Sequence, residues 1–289
     1  LVMERALIGD QALRTGLKNY FELHKYGNAT GPDLWNSLAM ASGIDVGTIM
    51  QSWLEQPGYP VVTAAVEDGQ LTLSQQQFFI GAGKDTGRQW QIPLKANYQD
   101  VPGIMTGKHI VIGDYQQLRA REGQPFRLNL GNESHFIVKY DETLIADILE
   151  HVTELDAISQ LQLLQDQRLL AQGRHISYAT IVPLLTQCAA RHETIVTDAL
   201  YRVAGDLKQF VAPDSAQKDQ LQTLFDQLSA QQVARLGWTT KTGESHDDQL
   251  TRPFVLRASL YAENAATIAA AHDIFVANRD QLATLAADT

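Results

Sequence analysis

Residues 53–63 read Trp53-Leu54-Glu55-Gln56-Pro57-Gly58-Tyr59-Pro60-Val61-Val62-Thr63. A helix carrying Trp53 runs into a Pro-Gly-aromatic-Pro turn, and the turn opens onto β-branched residues. No single regular element can cross this stretch. The chain must therefore change from helix to strand here, and everything else in the sequence is placed by that change.

Upstream, residues 1–58 read as helices. Leu13, Leu17, Tyr20, Phe21 and His24 recur at spacings of three and four, one face of a helix. Asp10 is the expected N-cap of that helix and Asp45 the cap of a following one that carries Ile49, Met50 and Trp53. Gly27 and Gly43 stand where these helices would stop. Downstream, about 60–140, the period changes to two. Val61–Glu67 is rich in β-formers, Asp68-Gly69 follows, and Leu71 and Leu73 alternate with polar residues, a hairpin pattern. Further strands are expected at Trp90–Leu94, His109–Ile112, Phe126–Leu130 and Phe136–Tyr140. Short strands at this spacing predict a small antiparallel β-sandwich.

From residue 141 the helical period returns. Val196, Leu200, Val203, Leu207 and Phe210 make one stripe, and Leu221, Leu224, Phe225 and Leu228 another. Pro213, Pro253 and Gly237-Trp238 are expected to punctuate this run, giving an array of helical hairpins. No fixed-period sequence repeat is found. The fold class expected is multidomain α+β: helices over 1–58, sandwich over 59–140, helical array over 141–289.

The 289 residues carry a net charge of −10 and no basic stripe, which argues against nucleic acid and anionic membranes as partners. No stretch has the roughly 18 apolar residues of a membrane span. No signal peptide is visible, and the start at Leu1 suggests a cut chain. Cys188 is the only cysteine, compatible with a reducing, cytoplasmic setting.

Several blocks occur in one order along the whole chain: Tyr26-Gly27-Asn28-Ala29-Thr30 with Asp33-Leu34-Trp35, then Trp53 to Pro60, Trp90-Gln91-Ile92-Pro93-Leu94, and Asn129 to Asp141. Leu236-Gly237-Trp238, Leu250-Thr251-Arg252 and Val255-Leu256-Arg257 follow. Together they resemble the M1 family of zinc aminopeptidases, aminopeptidase N-like, where the catalytic domain hands over to a sandwich and a helical domain. His135-Phe136-Ile137 departs from that pattern, which has an aromatic pair and an Arg before Val. The resemblance implies a zinc-dependent release of N-terminal residues from peptides, with the helical domain walling a chamber for substrate access. It also implies that the chemistry lies elsewhere. The His-Glu-x-x-His ligands with their further Glu, the Gly-x-Met-Glu-Asn strand and the intermediate-stabilising Tyr do not occur in these residues. No catalytic, cofactor-binding or metal residue is therefore assigned, and zinc is expected in the intact enzyme only.

Other signals have plainer readings. His192-Glu193 opens like a zinc motif, but position 196 is Val196; an exposed helix start is expected. Cys188 and His192 stand four apart, yet two ligands do not close a site, so a buried thiol beside a surface histidine is expected. Gly81 to Gly87 mimics a phosphate loop without its spacing and is expected to be a hairpin loop. Asp141-Glu142 and Asp247-Asp248 are read as helix caps, and Trp35, Trp53, Trp90 and Trp238 as core anchors.

The expected function is that of a non-catalytic C-terminal fragment, inactive alone, with peptides and the catalytic domain as partners of the intact enzyme. The alternative is a non-enzymatic scaffold or binding protein related to the family. Leu1 to Leu7 and the helices after about Asn264 are expected to be frayed or covered for lack of neighbours.

Overall fold

A computed structural model describes residues 2–280. The chain divides into two compact units, the first running to His151 and including Gln172–His175, the second made of Val152–Ala171 and the residues from Ile176 onward.

The first unit opens with three helices, α1 (Val2–His24), α2 (Gly31–Ser42) and α3 (Val46–Leu54). Thr30 and Asp33, in the first of the family-like blocks, form the cap of α2: the Thr30 N–H donates to Asp33 Oδ2 at 2.8 Å. Asp45 caps α3 by accepting from the Thr48 N–H at 3.0 Å, and Gly43 closes α2 with a left-handed φ of 74°, both as expected. Asp10 does not act as expected. Gly9 breaks α1 with φ 80° and ψ 161°, and the Asp10 carboxylate accepts from Arg5 Nε at 2.6 Å instead. The predicted face of α1 holds at Leu13, Leu17, Tyr20 and His24, which are partly buried, with Leu13 packed against the Leu38 core and Gly16 buried against α2, but fails at Phe21, which is 64% exposed.

The change of period at Tyr59-Pro60 is where the structure changes. Strands β1 (Pro60–Glu67) and β2 (Gln70–Gln77) pair antiparallel through a two-residue turn, with Asp68 at φ 49° and Gly69 at φ 81°, a hairpin turn that needs positive φ at both central positions. Next come β3 (Ile92–Pro93), β4 (Ile104–Met105), β5 (His109–Asp114), helix α4 (Tyr115–Glu122), β6 (Ile137–Tyr140) and helix α5 (Glu142–Glu150). The larger sheet has the order β5-β2-β1-β6, and β3 pairs only with β4.

The wholly antiparallel pairing expected over 61–140 is corrected: β6 lies parallel to β1, Val61 opposite Ile137. Parallel neighbours need a long connection, and the chain between β1 and β6 supplies one. β1 is accordingly central and buried on both faces, with Val61 and Val62 both at 0% exposure. Phe126–Leu130 is not a strand; Leu128 makes one isolated bridge to Ala96, and the backbone turns at Leu130–Asn132. Trp90–Leu94 is reduced to the two residues of β3. Its order comes from buried side chains. Gln75 Nε2 donates to the Trp90 and Gly107 carbonyls, both at 2.9 Å, and Ser134 Oγ donates to the Pro93 carbonyl at 2.8 Å. Gly81 to Gly87 is an irregular loop, not a hairpin, because β2 pairs with β1 and β5 and not with the strand that follows the loop. Asp141 caps α5 at Leu144 N, 2.8 Å, as expected.

The second unit is helical: α6 (Ala157–Gln172), α7 (Val182–Cys188), α8 (Thr194–Asp206), α9 (Ala216–Leu236), α10 (His246–Tyr261) and α11 (Ala265–Asn278). The residue Gln172 itself groups with the first unit. Val196, Leu200 and Val203 are buried as expected, but α8 ends at Asp206 and Phe210 is 63% exposed. Pro253 does not punctuate; it sits inside α10, a helix interior position that costs one backbone donor. Ser245, not Asp247 or Asp248, caps α10, and the two aspartates occupy its first turn, where the helix dipole favours them. Of α11 only Thr267 is buried.

Candidate functional site

Two polar clusters stand out. The first joins α4 and α5. Arg119 Nε and Nη2 donate to the two carboxylate oxygens of Asp147 at 2.6 and 3.0 Å, and Tyr115 Oη donates to Asp147 Oδ2 at 3.0 Å. The Arg119 hydrogen bonds hold the Asp147 carboxyl below the usual carboxylate range. Burial pushes the Tyr115 phenol upward, and Tyr98 up to about 12. The Tyr98 hydroxyl donates to the Gln124 carbonyl at 2.9 Å. At neutral pH the phenols keep their protons and Asp147 keeps its charge. The hydrogen bonds of this cluster tie α4 to α5.

Asp147 also belongs to the one group of three ligand-type residues found among the described residues, with Glu150 and His151. A zinc ion needs lone pairs that are free to bind it. Asp147 Oδ2 already accepts from both Arg119 and Tyr115 and Oδ1 from Arg119, so these hydrogen bonds compete for the lone pairs a metal would use. Cys188 is buried in α7, its thiol pushed up to about 12 by burial, and His192 is exposed before α8. Glu193 is the N-cap residue of α8, the helix start that the sequence implied. Trp90 is fully buried, Trp53 donates its Nε1–H to the Gln91 carbonyl at 2.9 Å, and Trp35 packs partly buried against Leu38, Val46 and Met50. Trp238 is half-buried.

The second cluster runs through the helical unit. Gln160 Nε2 donates to the Val152 carbonyl at 2.7 Å, Arg191 Nε to Gln160 Oε1 at 2.7 Å and Arg191 Nη2 to the Leu155 carbonyl at 2.6 Å. Gln232 Nε2 donates to the Arg191 carbonyl at 2.7 Å and Arg235 Nε to Gln232 Oε1 at 2.7 Å. Arg235 in turn pairs with Asp248 at 2.6 Å. Neither cluster is visible in the sequence. The glutamines look like surface residues of polar helices, and α4 lies inside the zone of period two, with the Asp114 cap and the left-handed Gly123 stop as its local signals.

Cavities occur on the helical unit. One of about 280 Å³ lies between α6 and α8, lined by Leu161, Arg168, Leu169, Asp198 and Arg202. Its charges are paired internally, Arg168 with Asp206 at 2.7 Å and Arg202 with Asp198 at 2.6 Å.

Two known families match the chain in tandem. The ERAP1-like C-terminal domain model matches residues 126–289, and the peptidase family M1 domain model matches residues 1–53. The chain is an M1 aminopeptidase N-like C-terminal portion. Aminopeptidase N of Lactobacillus helveticus is 60% identical over 289 residues, covering 100% of this chain and 34% of that protein. Aminopeptidase N of Lactobacillus delbrueckii subsp. lactis is 55% identical over 288 residues, again 100% of this chain and 34% of the relative. Aminopeptidase M1 of Arabidopsis thaliana is 28% identical over 302 residues, covering 96% of this chain and 34% of its own length. The M1 aminopeptidase portion described here thus spans about a third of the relatives it matches. Among its described residues no helix is long and apolar enough to cross a membrane.

Proposed function

We propose that this chain is the non-catalytic part of a zinc-dependent aminopeptidase that releases N-terminal residues from peptides. The carrying observation is the order of the two family matches, the M1 domain at 1–53 and the ERAP1-like domain at 126–289, within 289 residues that align end to end with aminopeptidase N. On this reading residues 1–58 are the last helices of the catalytic domain, 59–140 the sandwich and 141–289 the first part of the helical domain. The two separate sheets support the middle assignment. The chain contributes architecture and substrate access, zinc and the catalytic groups reside in the catalytic domain, peptides are the substrates, and the enzyme works in the cytoplasm. The locked state of Asp147, Tyr98 and Tyr115 supports a structural role for the titratable groups present here.

The test compares the purified chain with the intact polypeptide. The chain is expected to bind no stoichiometric zinc and to leave an aminoacyl-arylamide intact, while the intact polypeptide binds zinc and cleaves the arylamide. Turnover by the pure chain that a chelator abolishes would overturn the reading. An upstream sequence lacking His-Glu-x-x-His would point instead to a scaffold.

A further inference from the structure

Six rings of the first unit follow one another in contact. His175 stacks on Phe78 at 5.6 Å and 25°, Phe78 meets Tyr59 at 5.6 Å, and Tyr59 meets His135 at 4.9 Å. His135 meets Trp53 at 6.1 Å, and Trp53 meets Trp90 at 6.4 Å. Trp90 is fully buried, so one end of the series is anchored in the core. The other end is different in kind. His175 belongs to Gln172–His175, a short segment that groups with the first unit although the residues on both sides of it belong to the second.

This strap is held tightly at one point. A Cβ on Gly173 would come within 2.7 Å of Phe78 Cε2 and 2.9 Å of the Phe79 carbonyl oxygen, so only glycine allows the approach. Arg174 beside it adopts a left-handed φ of 60°, a conformation that costs a non-glycine residue energy. A strained turn of this kind persists only while its flanking contacts hold it, and the Gly173 approach and the His175–Phe78 stack are among these contacts.

We propose that Gln172–His175 is an acid-released latch: neutral His175 closes the series of rings on Phe78, and its protonation frees the strap.

The electrostatics run one way. Rings and a backbone carbonyl from the Phe78 and Phe79 segment lie at the His175 strap, and the charge that bears on His175 is that of Lys139 on β6, a cation. Burial lowers the His175 pKa, and the Lys139 charge lowers it further. The attraction of an imidazolium for the Phe78 face, worth about 0.5–1 kcal/mol at exposed sites, acts in the opposite sense to these two effects. The folded-state value is therefore below the unfolded value of about 6.5. The latch contributes its full stability above that unfolded value and loses it as pH falls through the lower, folded one.

Hydrogen exchange of the chain, corrected for the intrinsic pH dependence of amide exchange, tests this between about pH 7.5 and about pH 5. Protection at Gly173–His175 is expected to fall severalfold while the β1–β2 hairpin keeps its protection. His175→Phe keeps a ring on Phe78 and removes the proton, so its protection should no longer depend on pH. Lys139→Gln, with the His175 imidazole followed by NMR, should move the transition to higher pH; this variant leaves the ring contacts alone and covers a failure of His175→Phe to fold. A strap whose protection stays constant over this range, a pH step that survives in His175→Phe, or a midpoint unmoved by Lys139→Gln would overturn the latch.

Discussion

Arg191 Nε donates to Gln160 Oε1 at 2.7 Å, and Gln160 is fully buried. The same guanidinium reaches the Leu155 carbonyl at 2.6 Å, so one side chain satisfies two acceptors from the turn before α6 and from α6 itself. Arg191→Ala removes both donors and leaves the buried Gln160 oxygen unpaired. A loss of about 2–3 kcal/mol is expected from urea unfolding, the cost of orphaned buried polar groups. Arg202→Ala is the control. Its pair with Asp198 is exposed on one helix face, and its loss should change stability by no more than about 0.5 kcal/mol.

Asp147→Asn should destabilise the first unit by about 2 kcal/mol, because it turns the Arg119 bidentate pair into an ion facing a neutral amide. The pH dependence has a fixed sign. The Asp147 pKa is lowered in the fold, so its contribution is present above the unfolded carboxyl value and disappears as pH falls through the folded one. Thermal melts from neutral pH down into the acid range should show the variant with a shallower acid decline than the parent. Parallel declines would rule out Asp147 as a source of acid sensitivity.

Gly16→Ala should destabilise by about 1–2 kcal/mol despite the better helix propensity of alanine. The new Cβ would lie 2.8 Å from Leu38 Cδ2 and 3.0 Å from both Leu38 Cα and the Ser37 carbonyl oxygen, and backbone atoms cannot move aside cheaply. Gly205→Ala in α8 meets nothing within 4 Å and should stabilise by a few tenths to about 1 kcal/mol. The sign difference between the two, read from chemical denaturation midpoints, checks the α1–α2 crossing.

Cys188 should resist thiol reagents. It is 2% exposed and its thiol is pushed up to about 12, so both access and thiolate are scarce at neutral pH. Modification by a disulfide reagent is expected only after denaturant opens the helical unit. Fast labelling of the native chain would show that α7 is packed less tightly than described.

The local chemistry of the sequence determined a good part of this protein. Asp68-Gly69 is readable because only residues tolerant of positive φ make that turn. Asp45, Gly43 and Asp141 are readable because caps satisfy backbone groups within three or four residues of themselves. The family-like blocks are readable as an ordered series, and the caps at Thr30 and Asp141 lie within them. What could not be read depends on partners far away in sequence. The parallel seat of β6 beside β1 is decided by the long crossover from Glu67 to Ile137 and by burial of β1 on both faces, which no local period encodes. Helix α4 was hidden because its Asp114 cap stands inside a run of strands, and its polar surface gives no stripe. Phe126 and Leu128 look like strand residues but are buried in irregular backbone, since the core supplies the apolar contact without a ladder. Gln160, Arg191 and Gln232 read as solvated residues, and only the packing of helices around them turns them into a buried network. Periods, turns and caps are local and belong to the sequence; strand partners, buried polar networks and the ring series from His175 to Trp90 exist only once distant segments have met.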